Sequence, residues 1–228
     1  MSKEQHTNRL PKYIAESLET HGYFFSRENL FADFEVAVEL VKMGKRMGQV
    51  RTGRFGSPVE VLSPLNSSNA PPHSLSAIHG HGAFPYHVDG SHLTSPSRYL
   101  LLFCSEANGS IAPTHILHRR DLDLTTDVVE AMRAGVFLVR NGNRSFYANI
   151  LSDAVSFMRW DAGCMFPKDV KAMKAAKALS QTAKITMKTT INWQAGAFLI
   201  IDNWSVLHAR GPVVDKTSQR ELLRVSVQ

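Results

Sequence analysis

Apolar residues recur at helical spacing near the start of the sequence. Beyond that they fall mostly in short continuous or alternating runs. Residues 10–19 predict a short helix that Gly22 ends, and Tyr23, Phe24 and Phe25 predict a short buried strand. Ser26 is placed to cap a second helix in which Leu30, Phe34, Val38 and Val41 share a face, with Gly44 as its stop. Residues 51–72 are rich in Gly, Pro, Ser and Asn and predict a loop or a run of short strands. Residues 98–104 form a continuous apolar strand. Residues 114–117, 136–140, 146–150, 155–160, 185–193, 198–202 and 222–227 are further strand candidates. Two helices interrupt them, one over 126–134 with Gly135 as its stop and one over 167–181 opened by Pro167. Many short strands between Gly, Asn, Asp and Pro turns predict a mainly β protein with flanking helices and a jelly-roll, cupin-like core. A single domain is expected, with a helical part over roughly 8–48 and the jelly roll over roughly 70–228.

Composition narrows the class. The 228 residues are 43% hydrophobic and 20% charged, enough to bury a sizeable core and too apolar for a disordered chain. No run approaches the ~18–20 apolar residues of a membrane helix. Residues 1–10 are polar, so no secretory signal is expected. Two cysteines, Cys104 and Cys164, make no disulfide framework, which points to a reducing cytoplasm. The net charge of +6 is largely local, because Lys168, Lys171, Lys174, Lys177, Lys184 and Lys188 face one acid, Asp169. A solvated helix face accounts for this segment, the alternative being a surface that steers an anionic substrate. A nucleic-acid partner is not expected.

The chemistry concentrates in three stretches. In Pro85-Tyr-His87-Val-Asp89-Gly90, His87 and Asp89 stand two apart and on one strand would reach the same metal. A buried strand at 198–202 turns into a second strand bearing His208. Two imidazoles and one carboxylate make up the facial triad of non-haem Fe(II) oxygenases, which leaves coordination positions open. Arg220 and Arg224 follow shortly after, on one face of an extended segment. His79 and His81, beside Gly80 and Gly82 just upstream, are candidates for a pocket wall that meets substrate.

The ordered set His87-x-Asp89, His208 and Arg220-x-x-x-Arg224 resembles the Fe(II)- and 2-oxoglutarate-dependent dioxygenases of the taurine dioxygenase and clavaminate synthase-like superfamily. The likeness extends through the HGYFF, HVDGSH, FMRWDAGCMFP and GAFLIIDNWSVLHARG segments. It implies a double-stranded β-helix, with Fe(II) on His87, Asp89 and His208. It implies further that Arg220, helped by Thr114, holds the distal carboxylate of 2-oxoglutarate, and that O2 is the oxidant. Arg224 is expected to bind a small anionic substrate, such as an amino acid or an amino-acid-derived carboxylate, which is hydroxylated. Desaturation and epoxidation use the same ligands. The alternative from another class is a non-catalytic, cupin-like protein that binds a metal or small ligand without a 2-oxoglutarate anchor.

Overall fold

The computed structural model describes residues 10–31, 35–53, 56–72, 74–109, 111–152, 156–215, 217 and 219–228. The first part runs α1 (Lys12–His21), β1 (Tyr23–Ser26), α2 (Val36–Met47), β2 (Glu60–Leu62), α3 (Leu75–His79) and β3 (Phe84–His87). It continues through β4 (Tyr99–Asn108), β5 (Thr114–His118), α4 (Thr126–Ala134), β6 (Phe137–Val139), β7 (Phe146–Ala148) and β8 (Met165–Pro167). The last elements are α5 (Val170–Ile185), β9 (Thr189–Ile191), β10 (Phe198–Asp202), β11 (Val206–Arg210) and β12 (Gln219–Val227).

Two antiparallel sheets form the body, ordered β1-β10-β4-β12-β2 and β3-β11-β5-β9, with a small third sheet, β7-β6-β8, beside them. Period-two alternation decides what each strand buries. On β4, Leu100, Leu102 and Cys104 point between the two large sheets, where they meet Ile116 of β5, Ile191 of β9 and Val206 of β11. Leu101 and Phe103 point the other way, onto Ile14 and Leu18 of α1 and Leu40 of α2. Leu117 of β5 and Leu207 of β11 face outward onto a third cluster, which Ala172, Ala175 and Leu179 of α5 share with Met132 of α4. The molecule is thus a jelly-roll sandwich covered on both faces by helices, as its sequence predicts.

Several boundaries differ from expectation for physical reasons. The second helix begins at Val36 rather than after Ser26, which lies in β1, and it passes through Gly44 to end at Met47, with Gly48 as its cap. Phe34, assigned to that helix, lies outside the described residues. Gly44 sits where a Cβ would press to within 2.9 Å of Val50, so its smallness serves packing rather than termination. Pro167 closes β8 instead of opening α5. Asp169 caps that helix, its carboxylate accepting from Ala172 N, and the helix runs on to Ile185. Residues 156–160 form no strand, and Val155 lies outside the described residues. The six lysines of the basic segment are all exposed, and no helix among the described residues is long and apolar enough to cross a membrane.

Candidate metal centre

β3 ends at His87, so the sequence expectation that His87 and Asp89 share one strand is not met. Asp89 lies in the turn that follows. There Asn203 reads its peptide from both sides, with Oδ1 accepting from Asp89 N and Nδ2 donating to Asp89 O, both at 2.9 Å. Asn203 is wholly buried and also donates to Ser97 O. Arg159 secures the same turn by donating to the carbonyls of Ser91, Leu93 and Thr94. His208 enters from β11, directly opposite His87 in the β3–β11 register. His87, Asp89 and His208 therefore meet at the inner face of the four-stranded sheet.

The His87 and His208 rings lie 4.4 Å apart, centroid to centroid. Asp89 Oδ1 is 3.2 Å from His87 Nε2 and 3.6 Å from His208 Nε2, and one ligand atom from each of the three residues falls within 4.8 Å of the others. Two metal bonds of about 2.1 Å at right angles span about 3 Å, so the cluster is close to the size of a first-row metal shell. The donor chemistry fits as well. His87 Nδ1 is within 2.9 Å of Pro85 O, so the neutral ring keeps its proton there and turns the Nε2 lone pair to the cluster; without a metal, burial opposes protonation of the ring, yet the Asp89 carboxylate beside Nε2 raises its pKa. Burial and the neighbouring His87 push His208 toward the neutral form a metal requires. Burial opposes ionisation of Asp89, yet the Arg224 guanidinium and the two imidazoles hold its carboxyl well below the usual range. The residues fit a divalent iron.

The other oxygen of Asp89 is taken. Arg224 Nη1 donates to Oδ2 at 2.6 Å, while its Nε and Nη2 both donate to Glu60 Oε2, at 3.2 and 2.8 Å. Arg224, expected as a substrate anchor, is thus engaged by two protein acids. Three of its five N–H bonds are used and two are left.

Arg220, two pleats earlier on the same inner face, is only 8% exposed. Its Nη1 donates to Ala112 O at 2.9 Å, two residues ahead of Thr114. Its Nε is buried without a partner, and among the described residues no carboxylate reaches it. Burial lowers its pKa to about 10. The Thr114 hydroxyl accepts from Trp193 Nε1 at 2.9 Å, which leaves its own proton to donate. His79 ends α3 with its ring 5.8 Å from that of Phe84, and the buried Nδ1 of His81 has no partner among the described residues.

Three residues were missed in the sequence. Asn203 stands in the turn between two predicted strands with nothing to mark it, and Glu60 lies in a stretch that predicts a loop or a run of short strands. Arg210 follows His208 by two on a strand, a spacing that signals a shared face. Its Nη2 donates to Gly80 O and Gly82 O at 2.6 Å each, and its guanidinium lies 3.6 Å over the Phe84 ring. It ties the segment carrying His79 and His81 to the strand that bears His208.

Residues 116–226 match the model of the taurine catabolism dioxygenase TauD, TfdA family. No curated protein matches the sequence. Among solved structures, an asparagine oxygenase in complex with Fe(II), 2S,3S-3-hydroxyasparagine and succinate superposes with a TM-score of 0.75 at 17% identity, over 94% of this chain and 77% of that one. The PvcB protein from Pseudomonas aeruginosa gives 0.73 at 19% identity, over 98% and 82%. The non-heme iron oxygenase OrfP with Fe, succinate and (3S)-hydroxy-L-Arg gives 0.72 at 18%, over 96% and 80%. The family match covers the C-terminal part of the chain, from β5 to β12, and nearly the whole chain shares its fold with these iron oxygenases.

Proposed function

We propose that this protein uses Fe(II), 2-oxoglutarate and O2 to hydroxylate a small amino acid or amino-acid-derived carboxylate. The observation that carries the reading is the buried guanidinium of Arg220, which meets no acid among the described residues, on the same inner face as the His87, Asp89 and His208 cluster. A guanidinium held in a dry interior without a counter-charge is costly unless an anion meets it. A metal-binding protein without a dicarboxylate co-substrate has no use for one there, which disfavours the non-catalytic alternative.

Bound iron would supply the redox chemistry by which the oxidation of 2-oxoglutarate to succinate drives hydroxylation of the substrate. The protein's own part is placement. His87, Asp89 and His208 would hold the metal through three ligand atoms, fewer than a divalent iron takes, so reactants could bind beside them. Arg220 offers its fork to the distal carboxylate of 2-oxoglutarate, and the Thr114 proton adds a second donor. Arg224 receives the substrate carboxylate on the two N–H bonds that Asp89 and Glu60 leave over. His79 and His81 line the approach. The asparagine oxygenase and OrfP structures hold hydroxylated amino acids, which agrees with this substrate class. Cys104 and Cys164 are free thiols, which suits the cytoplasm.

The test is anaerobic addition of Fe(II) and then 2-oxoglutarate to the purified protein. A weak visible charge-transfer band is expected in the wild type, and succinate should form once air and an amino-acid substrate are admitted. Arg220→Ala should weaken 2-oxoglutarate binding by about a hundredfold or more, since an anion bound in a dry pocket loses its charged partner. Equal binding by wild type and variant would refute the assignment.

A further inference from the structure

We propose that Glu60 is a positioning residue of the metal centre: acting through Arg224, it confines Asp89 to ligation by a single oxygen. The inference rests on the iron-oxygenase reading and adds a residue to it. A carboxylate beside a divalent metal can bind through one oxygen or both, and the second mode closes a position that reactants need. Here the choice is made before any metal arrives. Oδ1 of Asp89 faces the two imidazoles, and Oδ2 is held 2.6 Å from Arg224 Nη1.

Arg224 alone would be a poor restraint, because its stem is long and rotamer-rich. Glu60 removes that freedom. It lies opposite Arg224 in the β2–β12 register, and its Oε2 takes both Nε and Nη2 of the guanidinium. With that edge fixed, Nη1 can point only along the remaining direction, toward Asp89. Glu60 also balances the charge of Arg224, so the guanidinium holds Asp89 in place without drawing it away from the metal. Asn203 fixes the Asp89 main chain while Arg224 fixes its carboxylate. The four-residue chain Glu60–Arg224–Asp89–Asn203 thus leaves the ligand one oxygen to offer. Outer partners of metal ligands of this kind are worth about 10–100-fold in affinity or activity.

The experiment uses the full chain loaded with Mn(II), with relaxation of water protons counting the exchangeable waters on the metal and 2-oxoglutarate titrated against the same signal. Wild type, Glu60→Gln and Glu60→Ala are compared, with thermal melting as the check on folding. The wild type should hold three waters. Glu60→Ala should lose one of them and bind 2-oxoglutarate at least tenfold more weakly. Glu60→Gln, which keeps an oxygen for Arg224, should fall between. A Glu60→Ala protein with the wild-type water count and co-substrate affinity overturns the inference while the oxygenase reading stands. If Glu60→Ala does not fold, Glu60→Gln decides: an unchanged water count and affinity there overturn it equally. A wild type that binds no Mn(II), Co(II) or Fe(II) overturns the oxygenase reading and the inference with it.

Discussion

Asn203 shows how much of the site rests on a side chain with no chemistry of its own. It satisfies three backbone groups in a wholly buried position, two of them on Asp89, the proposed metal ligand. Replacing its amide nitrogen by oxygen, in Asn203→Asp, sets a carboxylate against the carbonyls of Asp89 and Ser97. The unpaired or opposed groups should cost about 1–3 kcal/mol of stability, read by urea denaturation. Co(II) affinity should fall beyond what the stability loss explains, and an unchanged Co(II) titration would remove Asn203 from the metal centre. Asp169 illustrates the same local logic at the surface. Backbone N–H bonds from Ala172 and Val136 hold its carboxyl below the usual carboxylate range. Its folded pKa is depressed, so its contribution is present above the unfolded value near 3.9 and is lost as pH falls through the folded one. Asp169→Asn, whose cap does not titrate, should therefore lie closest to wild type in acid and fall behind it toward neutral pH in a melting series.

At the scale of elements, Arg210 makes β11 more than a bearer of His208. Its two bonds to Gly80 and Gly82 and its stack on Phe84 fasten the turn after α3 to the sheet. Arg210→Lys keeps the charge but loses the planar fork and the stack. Hydrogen exchange over 79–83 should then quicken by about tenfold or more while the amides of β11 stay protected, because opening the turn no longer breaks a charged pair of bonds. Equal exchange in the two proteins would show that the turn holds itself. Strands that bury a continuous apolar run, such as β10 and the start of β4, were legible because nothing else satisfies so many adjacent apolar residues. His87, Asp89 and His208 were legible as a set because few residue types bind iron. What could not be read is what depends on register. Glu60 meets Arg224 only because β2 pairs with β12 from the far end of the sequence. Asp89 reaches the two imidazoles from a turn held by Asn203 rather than from a strand, and no local spacing encodes that. The start of α5 was misplaced because Pro167 suits both a first helical turn and the end of an edge strand.

Across the whole molecule, the interior between the two large sheets is apolar at one end and cationic at the other. Leu100, Leu102, Ile116, Leu199 and Ile201 fill the first part. Arg210 and Arg220 enter the second; burial lowers both pKa values to about 10, and the charge of Arg220 adds to the effect on Arg210. Neither has an acid partner among the described residues, so the ligand-free protein carries a cost that its co-substrate would relieve. This gives a stability signature that activity alone would not. Replacing Arg220 by a residue of similar length without charge, in Arg220→Met, removes the desolvation cost along with the anchor. Exchange of buried charge for well-packed apolar volume is often neutral or stabilising by about 1–4 kcal/mol. The ligand-free variant should therefore melt at or above the wild-type temperature. The wild type, loaded with Ni(II), should gain stability from 2-oxoglutarate as the logarithm of its concentration, about 2.7 kcal/mol at a hundred times Kd. Arg220→Met should show almost none of that gain. A variant that melts well below wild type while still being stabilised by 2-oxoglutarate would mean that Arg220 serves the fold and that the co-substrate is anchored elsewhere.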